Sequence, residues 1–119
     1  MAVPVLKQGG LLIASIQDAL SDEDLRGLQA DIGQKIGQYR SSGVLIDVTA
    51  LDVLDSFAAR TLRTIAESTR LRGAQVVVIG IQPEVAIAMV QMGLSLTGAR
   101  TALDLEDGIA LLLPSSGEH

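Results

Sequence analysis

Two short runs, Val44-Leu45-Ile46-Asp47-Val48 and Gln75-Val76-Val77-Val78-Ile79-Gly80, are almost wholly apolar and rich in β-branched residues. Such runs read as strands covered on both faces, which is what a parallel sheet requires. Between them lies a segment of helix length, Ser56 to Arg72, followed by Gly73. Strand, crossover helix and second strand make a βαβ unit, and that unit confines the chain to the α/β class.

The flanking segments extend the pattern. Val3–Lys7 reads as a short strand, Gln8-Gly9-Gly10 as a turn and Leu11–Ile16 as a second strand. Ser21-Asp22-Glu23-Asp24 opens a helix. Ser21 can cap its free amides, Asp24 stands at the reciprocal position, and three carboxylates suit the positive end of the dipole. Leu25, Leu28, Ile32, Ile36 and Tyr39 recur at helical spacing as one apolar stripe. Gly27, Gly33 and Gly37 each weaken this helix by about 1 kcal/mol relative to Ala, and they read as points of close helix–sheet packing. Gly43 reads as the helix stop. Pro83 starts a later helix at its favoured first position, and Gly93 ends it. Thr101–Leu105 reads as a last strand, Glu106–Leu113 as a terminal helix and Pro114–His119 as a frayed tail. The expectation is one domain over 1–119, with a mixed, largely parallel sheet of about five strands and about four helices.

Composition removes several classes of function. The 119 residues contain no cysteine, which excludes disulfides, thiolate nucleophiles and cysteine metal sites. Nine Lys and Arg against fourteen Asp and Glu leave a net charge of −5, unsuited to wrapping a phosphate backbone. With Phe57, Tyr39 and no Trp, the core must be aliphatic, and no stacking platform for bases is evident. The longest apolar runs, Leu11–Ile16 and Val76–Ile81, are too short to cross a bilayer, and the N-terminus lacks a signal-peptide layout. The expectation is a soluble cytoplasmic protein that binds neither nucleic acid nor membrane.

In an open α/β sheet, sites gather where strand C-termini meet helix N-termini. Three such loops follow Ile16, Val48 and Gly80. The second carries the unusual residues: Asp47, Asp52 and Asp55, then Ser56 at or near the cap of the next helix. Ser56 can be a simple N-cap. It can also be a phosphorylation site, where a phosphoryl group adds about −1.5 to −2 charge. Asp52 and Asp55 would oppose that charge by on the order of 2–3 kcal/mol each at ~6 Å and an effective dielectric of ~20. The helix amides would favour it by about 0.3–1 kcal/mol. A phosphate there perturbs the surface while leaving the core intact, which suits a binding switch.

The enzymatic readings are poorer. A nucleophilic serine needs a base, and the single histidine is His119 at the chain end. Lys7 and Lys35 fall outside the strand-end loops. There is no Gly-x-Ser-x-Gly, P-loop or Gly-x-Gly-x-x-Gly. A Mg²⁺-dependent phosphotransfer enzyme would have to use Asp47, Asp52 and Asp55. A module for a nucleotide or lipid would lack both a glycine-rich cradle and an aromatic pocket. No cofactor is expected.

A strand ending in Leu45-Ile46-Asp47-Val48, then Asp55-Ser56 opening a helix, resembles STAS domains, which include the bacterial anti-sigma factor antagonists. The resemblance runs from the first hairpin to the Pro83 helix. Many antagonists carry Asp-Ser-Ser-Gly, where Phe57 and Ala58 stand here. Asp55-Ser56-Phe57 with Ala59-Arg60 is more similar to the single-domain RsbS branch of the stressosome. The lack of a preceding sensor domain is also what that branch, rather than the RsbR-type paralogues, implies. The resemblance implies a non-catalytic scaffold built with RsbR-type STAS paralogues as a homo- or hetero-oligomer. Such a scaffold would hold a GHKL-type serine kinase (RsbT-like) and release it on phosphorylation of Ser56. A PP2C-type phosphatase would restore the resting state, and ATP would belong to the kinase. A simple antagonist of an anti-sigma factor kinase is the alternative.

Two faces could dock a partner. Arg60, Arg63 and Arg70 fall on one side of the second helix with Glu67 between them, while Leu62, Ile65 and Ala66 face the sheet. That face is either a solvated surface with Glu67–Arg63 or Glu67–Arg70 ion pairs, or a charged rim steering an acidic partner to Ser56. The Pro83 helix carries Val85, Met89 and Met92 on one stripe, Ala86 and Val90 beside it, and Ile87 opposite. A helix apolar nearly all round should be covered on more than one side. Ile87, Ala88 and Gln91 are the expected contacts, together with Asp52, Asp55 and Phe57 near the serine.

Overall fold

The computed structural model describes residues 3–113, so the expected tail at 114–119 lies outside the described residues. The elements run Val5–Gln8 (β1), Leu11–Ser15 (β2), Asp22–Tyr39 (α1), Gly43–Asp47 (β3) and Ser56–Leu71 (α2). Then follow Gln75–Ile79 (β4), Pro83–Gln91 (α3), Arg100–Ala102 (β5) and Leu105–Leu112 (α4). The five strands form one sheet in the order β1-β2-β3-β4-β5. The β1–β2 pair is antiparallel and the other three pairs are parallel. The class, strand number and helix number match the sequence expectation.

The register explains the two apolar runs. Val44 stands opposite Leu12 and Val76, and Ile46 opposite Ala14 and Val78. These side chains enter the larger core with Leu28, Ile32 and Ile36 of α1, Leu62, Ile65 and Ala66 of α2, and Val85 and Met89 of α3. Leu45, Val77 and Ile79 point to the other face, where Ile109, Leu111 and Leu112 of α4 pack. Gly108 brings α4 onto the strands: a Cβ there would meet Leu45 and Ile79 methyls at 2.7 Å. Both faces of β3 and β4 are thus covered, and neither run alternates.

Local signals hold at α1 and shift elsewhere. Ser21 caps α1, accepting from the Asp24 amide at 3.1 Å, and the Asp24 carboxylate accepts from the Ser21 amide at 3.2 Å. The helix does not end at Gly43, which is the first residue of β3. It ends at Arg40, which takes the left-handed conformation with φ 52°. Gly43 is glycine for another reason: a Cβ would lie 2.8 Å from Leu112 and 3.1 Å from Leu11.

The glycines of α1 do not approach the sheet. Gly33 and Gly37 face Arg72, the cap residue of α2, whose guanidinium donates to the Gly33 carbonyl. Gly27 has open space. Tyr39 leaves the apolar stripe and stands exposed, with the Lys7 ammonium 5.7 Å from its ring centroid. Among the described residues no helix is long and apolar enough to cross a membrane.

The helix α3 departs from expectation. Only Val85 and Met89 are buried. Ile87 is 58% exposed, Val90 77% and Met92 54%. The apolar residues on its outer side therefore face solvent rather than a second layer of this chain.

Candidate functional site

The site lies at the C-terminal edge of the parallel strands, and backbone bonds between neighbouring loops hold it. The Ile16 amide donates to the Asp47 carbonyl, the Val48 amide to the Ile79 carbonyl, and the Gly80 amide to the Ala102 carbonyl. Each loop thus leaves the sheet from a fixed point.

The loop after β3 is folded by its own side chains. Asp47 Oδ1 accepts from the Thr49 amide at 2.9 Å and from the Thr49 hydroxyl at 2.6 Å, an Asx-type turn. Leu51 and Leu54 are buried and pin the loop to the core. Between them Asp52 and Val53 face solvent, Val53 at 66% exposure. Gln82 Nε2 donates to the Thr49 carbonyl at 2.8 Å, which ties this loop to the residue before α3. Gly80, at φ 79°, is in contact with Thr49, whose Oγ1 would be 1.9 Å from a Cβ at that position.

Ser56 is not the cap of α2. Asp55 is: its Oδ1 accepts from the Ala58 amide at 2.8 Å. Ser56 is the first helical residue, exposed, and its hydroxyl has no hydrogen-bond partner among the described residues. The chemistry open to such a group is that of a free surface hydroxyl. No described lysine bonds to it, and His119 lies outside the described residues.

The remaining expected residues divide into two groups. Asp52, Asp55, Ser56, Phe57 and Arg60 share the loop and first turn of α2. Phe57 is half-buried, and its carbonyl accepts from the Thr61 hydroxyl at 2.9 Å. Arg60 is exposed and Arg63 half-buried one turn on. Ile87 and Gln91 are exposed on α3, with Ala88 half-buried beside them. The Gln82–Thr49 bond joins the two groups at their base.

Two of the alternative readings find no support. Asp47 Oδ1 is bonded to Thr49 and Asp55 Oδ1 caps α2. Among the described residues no three His, Cys, Asp or Glu are grouped to hold a metal ion. Glu67 also makes no ion pair with Arg63 or Arg70. Its Cγ and Arg70 Nη1 lie beside Gly98, 3.1 and 3.6 Å from where a Cβ would be.

One neighbour escaped the sequence reading. Arg26 of α1 places its Cζ 6.0 Å from the centroid of the Phe57 ring. Its spacing along α1 marks it only as an exposed position, and no local pattern links it to residues some thirty positions later.

The STAS domain family pattern matches residues 2–107. The RsbT co-antagonist protein RsbRA of Bacillus subtilis (strain 168) is 28% identical over 111 residues, covering 93% of this chain and 40% of that protein. RsbRC of the same organism, also an RsbT co-antagonist protein, is 37% identical over 65 residues, covering 55% of this chain and 23% of that protein. The chain therefore spans two-fifths or less of the length of these relatives. Among solved structures, a serine-to-glutamate variant of Moorella thermoacetica RsbS superposes with a TM-score of 0.79 at 34% identity, covering 92% of this chain and 93% of that one. A chain from the molecular architecture of the stressosome gives 0.78 at 36% identity, covering 92% and 95%. The anti-sigma factor antagonist SpoIIAA in its unphosphorylated form shares the fold, with a TM-score of 0.68 at 12% identity over 92% and 94% of the two chains. Sequence pattern, topology and neighbours agree with the likeness carried by Asp55-Ser56, and the chain belongs to the STAS domain family.

Proposed function

We propose that this chain is a non-catalytic scaffold subunit of a stressosome-type signalling complex, switched by phosphorylation of Ser56. The observation that carries the reading is the Ser56 hydroxyl: exposed, without a hydrogen-bond partner among the described residues, and at the first turn of a helix whose cap is Asp55. A kinase can reach it without breaking a native interaction. In the transfer, Ser56 Oγ attacks the γ-phosphorus of ATP held by the kinase. ADP leaves, and the hydroxyl proton passes to a base of the kinase.

The names of the relatives support a reading of the partners. RsbRA and RsbRC are named RsbT co-antagonists, and one structural neighbour comes from a stressosome. By likeness, this chain assembles with RsbR-type paralogues in the cytoplasm and holds an RsbT-like GHKL serine kinase. A PP2C-type phosphatase removes the phosphate. The kinase contacts the loop and the start of α2 at Asp52, Asp55, Phe57, Arg60 and Arg63, and the outer face of α3 at Ile87, Ala88 and Gln91 meets the kinase or a neighbouring subunit. The exposed apolar residues of α3 support that assignment, since a patch of this kind marks a contact surface.

The test is to incubate the chain with the kinase and ATP and map the phosphate by mass spectrometry. Phosphate at Ser56, abolished in Ser56→Ala, is expected. Phosphate only at other residues, with Ser56→Ala retaining and releasing the kinase as the parent does, would overturn the reading.

A further inference from the structure

We propose that a phosphoryl group on Ser56 is held by the guanidinium groups of Arg26 and Arg60, so that the modification ties α1 to the first turn of α2. This deepens the reading of Ser56 as the phosphorylated residue and rests on it.

Three observations converge on the point. At 100° per residue, Arg60 lies about 40° round α2 from Ser56, and Phe57 about 100° in the same sense. Arg60 is therefore between the serine and the ring, one turn along, where side chains four apart meet. Arg26 reaches the same side from α1, its Cζ 6.0 Å from the Phe57 centroid. Neither guanidinium forms an ion pair with a described residue. In a chain with fourteen acidic and nine basic residues, counter-charge is abundant. Between described residues the one ion pair is Lys35–Asp31, so the guanidinium groups of Arg26 and Arg60 are both available to a new anion.

The opposing groups are also defined. Asp52 and Asp55 lie on the loop, and Asp22 and Glu23 precede Arg26 by one turn of α1. Asp55 Oδ1 is already engaged by the Ala58 amide. Arg63 stands one turn beyond Arg60 and adds to the positive side. A dianionic phosphate offers a guanidinium charge-assisted hydrogen bonds, which are stronger than its attraction to a ring face. Arg26 would then leave Phe57, and Arg60 would cease to point at a partner. Modification thus changes the surface three ways: it adds negative charge, withdraws a cation and uncovers an aromatic ring.

The experiment uses the full chain with phosphoserine encoded at position 56 and follows its second ionisation by ³¹P NMR between pH 4 and 8. The ordinary value is about 6. Capture by two cations lowers it by about one unit. Arg26→Gln and Arg60→Gln should each raise it, and the double variant should exceed 6, because Asp52 and Asp55 then dominate. Arg60→Lys should keep part of the effect, and Arg100→Gln none of the loss. Melting curves of the unphosphorylated variants check that each folds. A value of 6 or above with both arginines present, or one indifferent to both substitutions, overturns the proposal. Encoding the phosphoserine bypasses the kinase. A failed kinase assay therefore removes the proposed function without touching this titration, and a flat titration leaves the kinase assay standing.

Discussion

Asp55 caps α2 through the Ala58 amide at 2.8 Å, and this frees the hydroxyl of Ser56, the next residue. A cap and a phosphate acceptor would compete for one oxygen if a single serine served both purposes. Here adjacent side chains divide the tasks, so the helix start survives whatever is attached to Ser56.

That division separates two substitutions. Ser56→Ala removes a group with no partner among the described residues and should change stability by less than about 0.5 kcal/mol. Asp55→Ala leaves the Ala58 amide without its acceptor and should cost about 1 kcal/mol, while Asp55→Asn should recover most of it. Urea denaturation of the three variants decides. If Ser56→Ala proves the costlier change, the serine and not the aspartate carries the cap.

Gly80 and Gly9 both sit at positive φ, 79° and 60°, yet their surroundings differ. A Cβ at Gly80 would be 1.9 Å from Thr49 Oγ1 and 3.1 Å from Thr49 Cα, whereas nothing lies within 4 Å of one at Gly9. Gly9→Ala should cost about 1–2 kcal/mol, the left-handed penalty alone. Gly80→Ala adds overpacking of about 1–3 kcal/mol to that penalty. It should also shift the loop that leads to Ser56. Thermal melting gives the ranking, and amide exchange at Thr49 and Leu51 reports the loop.

On α3 the inner and outer faces should respond to different assays. Met89 is 6% exposed, so Met89→Ala should cost about 2–5 kcal/mol. Ile87→Asp, on the exposed side, should leave stability within about 0.5 kcal/mol. It should weaken binding of the kinase or of an RsbR-type paralogue at least tenfold, because a carboxylate would be buried in an apolar contact. Calorimetry with each partner in turn tells which of them uses the face. Unchanged affinity for both would remove α3 from the docking surface.

The parts of the fold legible in the sequence are those set by local chemistry. Ser21 and Asp24 cap α1 as a pair three residues apart, and Pro83 starts α3 because its missing donor costs nothing there. The β3 and β4 runs are apolar on both faces because helices cover both. The roles of Gly43 and Gly37 are not legible locally because they are tertiary: Gly43 answers to Leu112 in α4, and Gly37 to Arg72 at the end of α2. In the site, Asp55-Ser56 stood out as a local motif. Which of the two residues caps was not legible, since either side chain can accept an amide. Arg26 and Gln82 were silent for the same reason as Gly43. Their partners, Phe57 and Thr49, are brought to them by the sheet and not by the chain.

The α1 glycines supply the last prediction. Gly27 is exposed with nothing within 4 Å of a prospective Cβ, so Gly27→Ala should gain helix propensity and stabilise by about 0.5–1 kcal/mol. The same gain is available at Gly37, but there a Cβ would lie 2.9 Å from Arg72 Nη2. The guanidinium must swing away, and its bond to the Gly33 carbonyl, worth about 1.5–3 kcal/mol as a charged hydrogen bond, weakens with it. Gly37→Ala should therefore be neutral or destabilising in the parent. In an Arg72→Ala background the obstruction is gone, and Gly37→Ala should stabilise as Gly27→Ala does. Equal gains at both positions in the parent would mean that Arg72 does not dock on α1 in solution.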